Sequence, residues 1–330
     1  MDSFAKKYFM QIRLLLQVVM IFLAAQTITK AQAVKSFEIS GYPELDEIES
    51  ELSPSSSPAN FVGKIRLNNG ITLEYAESGN PRGTPVIFLH GFTDSRHSFN
   101  YLVPKLTGDI RSIVLTQRGH GQSDKPEAGY KPEDFAADLD AFMTAQNLDK
   151  AIIVGHSLGS TVAQCFALNY PSKVTGLALL ATVPQFSTNP ALVEFGAQVA
   201  LLKDPVDHAF ASDFQKSTIQ IPISASYLDS LINETLKVPS LVWKSVISGL
   251  LEVDYTPRLK TIKAPALVLY GDKDNFSSVG DQHKFSAAIA GSTLKVYEGV
   301  GHAIHWEDPD QTAIDLSAFI KKITQINHLP

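Results

Sequence analysis

The sequence predicts an α/β fold in which a mostly parallel, doubly wound sheet carries one inserted helical lid. Three observations predict it. Short continuous apolar runs (PVIFL, SIVL, AIIV, LALL, ALVLY) alternate with stretches of helical period, the pattern of parallel strands covered on both faces. Asn68-Asn69-Gly70 lies between two alternating runs and signals a hairpin. From 185 to 262 the alternation stops, and only helical periodicity is read.

Taken in chain order, FVGKIRL and ITLEYAE form the two antiparallel strands of that hairpin. PVIFLHG follows as a strand, then a helical stretch at 97–106, then the strand SIVL before TQRGHGQSD. An amphipathic helix near 132–147 places Phe135, Leu139, Phe142 and Met143 on one face. The strand AIIVG, a helix near 158–169 and the strand VTGLALLA come next. After 185, PALVEFGAQVALL, AFASDFQKST, SYLDSLINETL and LVWKSVISGLL each read as helix; the strands ALVLYG and TLKVYEG, with helices between and after them, complete the sheet. The domain thus runs from 61 to 184 and from 263 to 330, with 185–262 as a helical lid over the active edge of the sheet.

The N-terminus reads as an address rather than as fold. Lys6, Lys7 and Arg13 precede the apolar run Leu14 to Ala25, and Ala31-Gln32-Ala33 supplies the small residues a signal peptidase accepts. The run is shorter than the roughly 20 residues that span a bilayer, so 1–33 is expected to be a cleavable signal peptide of a secreted or periplasmic protein. An uncleaved membrane anchor is the alternative. Residues 34–60, with Glu44, Asp46, Glu47, Glu49 and Glu51 followed by SPSSSP, read as a flexible linker.

Of 330 residues, 44% are hydrophobic, enough for a sizeable core. Removing 1–33, with four basic residues and one acid, takes the formal charge from −6 to −9, which offers no basic stripe for nucleic acid. No stable membrane partner is expected. Cys165 is the one cysteine, so no internal disulfide forms and the core must be self-sufficient; no cysteine ends the apolar run, which excludes lipid attachment there. The histidines and acids lack zinc-ligand spacing, and no nucleotide-binding glycine pattern occurs; neither metal nor cofactor is expected.

Ligands of an open parallel sheet bind beyond the carboxyl ends of its strands. Four polar clusters fall there: His90-Gly91-Phe92, His156-Ser157, Gly271-Asp272-Lys273-Asp274 and Gly301-His302. A serine hydroxyl is a weak nucleophile unless a histidine takes its proton and a carboxylate orients the imidazole. Gly155 and Gly159 clear the space that a sharp turn at Ser157 needs. The helix starting after Ser157 aims free N–H groups at a developing oxyanion; Leu158 N–H and, from the loop after PVIFL, Phe92 N–H are the expected donors.

With HGF at 90–92, RGHGQSD at 118–124, GHSLG at 155–159, GDKD at 271–274 and GHAIHWEDPD at 301–310, the chain resembles the α/β-hydrolase superfamily from about Phe61 onward. That resemblance implies Ser157 as nucleophile, Asp274, in preference to Asp272, as the acid of the triad, and His302 as general base. Relatives that cleave carbon–halogen bonds or epoxides carry aspartate at the nucleophile position, so Ser157 disfavours both activities. Meta-cleavage carbon–carbon hydrolases usually carry asparagine before the serine and further glycines after the first His-Gly, where this chain has His156 and Phe92-Thr93. Ser160 replaces a glycine common just after the elbow.

The expected activity is therefore hydrolysis of a carboxylic ester or lactone of a small to medium apolar substrate through an acyl-enzyme. Amide, thioester or carbon–carbon cleavage by the same triad is the alternative within enzymes, and a triad-retaining small-molecule receptor is the alternative outside them. Among the lid aromatics Phe195, Phe210, Phe214, Tyr227 and Trp243, some line an apolar pocket and others pack the lid on the sheet; Trp243, Phe210, Phe214 and His305 are taken as substrate-binding candidates. His90 and His156 are read as supports, Arg96 and His97 as solvated, and Cys165 as a buried small side chain. The sequon at Asn275 adjoins Asp274, where a glycan would obstruct the site, and is read as chance; a second lies at Asn233.

Overall fold

The computed structural model describes residues 61–182 and 185–327. The signal-peptide and linker readings of 1–60 lie outside the described residues. Eight strands form one sheet in the order β1-β2-β4-β3-β5-β6-β7-β8. They are β1 (Phe61–Arg66), β2 (Thr72–Gly79), β3 (Thr84–Leu89), β4 (Ile110–Thr116), β5 (Ala151–His156), β6 (Val174–Leu180), β7 (Ala266–Gly271) and β8 (Thr293–Tyr297). The β1–β2 and β2–β4 pairs are antiparallel and all others parallel. At the Asn-Gly turn Gly70 takes φ +85°, a left-handed conformation that glycine adopts without a side-chain clash.

The central strands bury both faces, so their side chains divide by period two. Ile87, Leu89, Ile113, Leu115, Ile153, Leu177, Leu179 and Val268 join one core, and Val86, Phe88, Val114, Ile152, Val154, Ala178, Leu180 and Leu267 the other. The first core is covered by α1 (Pro132–Ala145) and α2 (Leu158–Asn169) through Phe135, Leu139, Phe142, Val162 and Phe166. The second packs on Phe99 and on Leu316 and Ile320 of the C-terminal helix.

Between β6 and β7 the described chain forms α3 (Pro190–Val199), α4 (His208–Ser217), α5 (Ala225–Thr235) and α6 (Ser240–Leu251). Local chemistry starts the first two: Asn189 Oδ1 accepts from Ala191 N at 2.8 Å, and Asp207 Oδ1 accepts from Phe210 N at 3.0 Å. After β7 come α7 (Val279–Ala288), β8, a short α8 (Ile304–Glu307) and α9 (Pro309–Asn327). No described helix is long and apolar enough to cross a membrane.

One expected element differs. In place of a helical stretch at 97–106 there are two 3₁₀ turns, Arg96–Phe99 and Val103–Lys105. Pro104 has no N–H for the carbonyl of Asn100 and its ring would clash with that turn, so an α-helix cannot run through it. Arg96 also differs from its solvated reading. Its Nε donates to Glu74 Oε1 at 3.1 Å, with both side chains largely buried. His97 stays partly exposed, 3.9 Å from Glu234.

The RGHGQSD segment proves to be a structural tie. Arg118 makes a buried two-pronged contact with Asp138 of α1, at 2.6 and 2.5 Å. Ser123 Oγ donates to Thr116 O and accepts from Glu74 N, and Asp124 Oδ2 accepts from Thr72 N. The segment thereby fastens the hairpin to the parallel sheet beside the site.

Candidate active site

Ser157 stands where β5 hands over to α2, with φ 51° and ψ −114°. These angles are close to those of the first central residue of a type II′ turn, a position dominated by glycine. The turn is held in place from both ends. Ser157 N donates to Leu180 O at 3.0 Å, and Ser157 O accepts from Ser160 N at 2.9 Å, Thr161 N at 3.1 Å and Ser160 Oγ at 2.7 Å. A Cβ at Gly155 would overlap the Gly159 carbonyl oxygen, and one at Gly159 would overlap the Leu89 oxygen. The two glycines are therefore required by backbone packing, and Ser160 adds a hydrogen bond to the elbow.

Leu158, as the first residue of α2, has no carbonyl one turn back within the helix to receive its N–H. Phe92 follows Gly91 in the loop after β3 and lines the same cavity as Ser157. Gly91 fits tightly there: a Cβ would stand 2.7 Å from His156 Nδ1 and 2.9 Å from Asp94 Oδ2. His90 braces this loop, with Nδ1 2.8 Å from Gly91 O and Nε2 accepting from Gln117 N at 3.0 Å. Burial holds His90 well below the usual imidazole range, so it stays neutral.

The loops after β7 and β8 meet at Gly271, where a Cβ would overlap the Gly301 and Val300 oxygens. That approach sets His302 Nδ1 2.8 Å from Asp274 Oδ2, while Asp274 Oδ1 accepts from Phe276 N at 2.7 Å. The Asp274 side chain has no exposure to solvent and that of His302 almost none. A carboxylate on Nδ1 selects the tautomer that leaves Nε2 as the acceptor. Asp272 is turned elsewhere and accepts from Gly299 N at 2.7 Å. Glu307 clamps the histidine loop, accepting from Gly301 N at 3.1 Å, Gln220 N at 2.9 Å and Ile221 N at 2.7 Å.

Ser157, His302 and Phe92 line one cavity of about 40 Å³, walled by apolar side chains that include Phe186, Leu192, Phe195, Phe214, Leu250 and Phe276. Three of the substrate-binding candidates do not line it. Trp243 is fully buried among Phe92, Phe210 and Phe214, with ring centroids 5.0, 5.6 and 5.4 Å away. Phe210 packs against Trp243 and Phe195, one layer back from the wall. His305 is buried with Nε2 3.0 Å from Ser98 Oγ, and burial pushes its pKa down to about 3. Trp243 and Phe210 are taken up by an aromatic cluster of the lid and the loop after β3, and His305 by the Ser98 hydroxyl and the Phe99 ring. Phe214 does line the cavity, as does Phe195.

His156 packs against His302, His305 and Trp306, and its Nε2 lies 3.2 Å from His302 O, so it supports the loop of the neighbouring histidine. Cys165 is fully buried in α2. Sequence reasoning missed Asp94 and Gln215. Both are buried polar residues that line the cavity, and the Gln215 Nε2 group donates to Asp94 Oδ1 at 3.0 Å. Burial raises the Asp94 carboxyl to about 7. Its place just past a strand end was the available signal; Gln215 carried none.

A family profile described as alpha/beta hydrolase fold matches residues 84–309, more than two thirds of the chain. Over 276 residues the chain is 29% identical to a non-heme chloroperoxidase of Streptomyces lividans, covering 79% of this chain and 100% of that one. It is 27% identical over 258 residues to the 2-(acetamidomethylene)succinate hydrolase of Mesorhizobium japonicum, covering 76% and 92%. The solved structure of an esterase from Exiguobacterium antarcticum superposes with a TM-score of 0.71 at 23% identity, covering 79% of this chain and 100% of that one. The chain belongs to the α/β-hydrolase fold family and is a hydrolase of that superfamily.

Proposed function

We propose that the protein is a serine hydrolase cleaving a carboxylic ester or lactone of a small to medium apolar substrate through an acyl-enzyme. The observation that carries this reading is the strained Ser157 elbow sharing one apolar cavity with a histidine whose Nδ1 is held by a buried carboxylate. His302 Nε2 takes the proton of Ser157 Oγ as the oxygen attacks the ester carbonyl. The N–H groups of Phe92 and Leu158 hold the oxyanion, each worth roughly 3 kcal/mol by comparison with measured donors. As the intermediate collapses, the carbonyl carbon loses its bond to the alcohol oxygen, which receives the proton from His302. Water, deprotonated by His302, then attacks the acyl-serine and releases the acid and Ser157.

The helices from 185 to 262 act as the lid that closes the cavity, which Phe195 and Phe214 of α3 and α4 help to wall. Its small volume favours short acyl groups. Residues 1–33 direct export and are removed. The test is to express residues 34–330 and offer short- and long-chain p-nitrophenyl esters to the wild type and Ser157→Ala. Turnover that prefers short chains and disappears with Ser157→Ala supports the reading. Turnover undiminished by the substitution, or fluorophosphonate labelling at another residue, refutes it.

A further inference from the structure

Apart from Ser157, His156 and His302, the polar lining of the cavity gathers where α4 meets the loop after β3. There Gln215, almost fully buried, donates through Nε2 to Asp94 Oδ1 at 3.0 Å and to Thr235 Oγ1 at 2.6 Å. Those two bonds use both hydrogens of the amide. Its other end, Oε1, is buried with no hydrogen-bond partner among the described residues. A buried acceptor left unpaired is destabilising, and such groups in folded proteins call for an explanation.

The orientation of the amide is set by its neighbours rather than free. Asp94 Oδ2 accepts from Ser98 Oγ at 3.2 Å, and Ser98 Oγ in turn receives Trp306 Nε1 at 3.2 Å and lies 3.0 Å from His305 Nε2. Ser98 thus occupies Oδ2 of Asp94 and leaves Oδ1 as the acceptor for Nε2 of Gln215. Thr235 Oγ1, 3.3 Å from Thr93 Oγ1, fastens the same amide from α5. The other unpartnered acceptor of the lining, His156 Nδ1, abuts Gly91 instead.

We propose that Gln215 is a specificity residue whose Oε1 accepts a hydrogen bond from a hydroxyl or amide N–H of the bound substrate, so that the preferred esters carry a donor beside the scissile group. The inference rests on the reading of Ser157 as nucleophile. A mainly apolar cavity with a fixed, unpaired acceptor discriminates strongly against an analogue lacking the donor, because binding that analogue leaves the acceptor unpaired.

The test compares kcat/KM for size-matched esters: ethyl 3-hydroxybutyrate against ethyl butyrate for a donor on the acyl side, and 2-hydroxyethyl butyrate against propyl butyrate for one on the alcohol side. The wild type is expected to favour the hydroxylated member of one pair by about tenfold or more. Gln215→Leu, which keeps the bulk and removes the acceptor, is expected to bring that ratio to within about twofold. Thr235→Val, which loosens the amide, is expected to reduce it in part. Equal rates within both pairs for a wild type that fluorophosphonate labels at Ser157 would overturn the subsite and leave the serine hydrolase standing, as would a preference that survives Gln215→Leu. If Gln215→Leu fails to fold, the wild-type ratios and Thr235→Val still decide. No labelling and no turnover of any ester overturns both.

Discussion

Ser157 occupies a backbone conformation that disfavours any side chain, so its replacement predicts a separation of stability from activity. At φ 51° and ψ −114° the Cβ crowds its own backbone, a strain of order 1–3 kcal/mol for a non-glycine residue. Ser157→Gly removes the Cβ and with it the strain, while the added freedom of glycine in the unfolded chain returns roughly 0.5–1 kcal/mol. Ser157→Ala keeps the Cβ. Both variants lack the hydroxyl and both are expected to be inactive, so their difference isolates the backbone term. The expected gain of Gly over Ala is about 1–2 kcal/mol, or roughly 2–8 °C in Tm for a domain of this size. Urea denaturation followed by tryptophan fluorescence reads it directly, since the only two tryptophans, Trp243 and Trp306, are buried. A Ser157→Gly variant no more stable than Ser157→Ala would refute the argument that the elbow stores strain.

Other outcomes follow from the same structure. Asp274→Asn leaves the fold intact but favours the wrong imidazole tautomer, and kcat on a short-chain ester is expected to fall by about 10⁴; a loss under tenfold would remove Asp274 from the triad. Gly159→Ala forces a Cβ onto the Leu89 oxygen and is expected to yield no folded protein, read by expression and circular dichroism; a native, active variant would contradict the tight β3–α2 contact. Burial holds the His120 pKa down to about 4 and that of His305 to about 3. The unfolded chain protonates these rings near 6.5, so stability is full above that pH and falls below it, by up to about 1.4 kcal/mol per pH unit for each ring. Asp94, raised to about 7 by burial, works in the opposite direction: its contribution is present at low pH and is lost as pH rises from about 4 through 7. Urea midpoints from pH 4 to 9 check both signs, with Asp94→Asn expected to flatten the decline toward pH 7.

Most strand positions were legible because each central strand is buried on both faces and is therefore largely a continuous apolar run, as AIIV is in β5, which is buried throughout. The hairpin was legible through Asn-Gly, and α2 through its apolar run after Ser157. The helical stretch expected at 97–106 is divided into two 3₁₀ turns, in keeping with Pro104 within it. Trp243 and Phe210 were misplaced for another reason: helical period says which face of an element is apolar, not whether that face meets a cavity or another ring; His305, three residues after His302, meets Ser98 instead of the cavity.

What the sequence by itself determined is the set of reactive groups and their positions at strand ends, since chain order and apolar patterning are local properties. It placed Ser157 after β5, two acids after β7 and His302 after β8. Which acid meets the histidine was decided by tertiary structure, through the contact of Gly271 with the 300–301 backbone that brings Asp274, and not Asp272, to His302. Tertiary structure also decided that Asp94 and Gln215, 121 residues apart, share a hydrogen bond in the wall of the cavity. Burial and pairing depend on what the rest of the chain brings alongside, and no local pattern in the sequence records that.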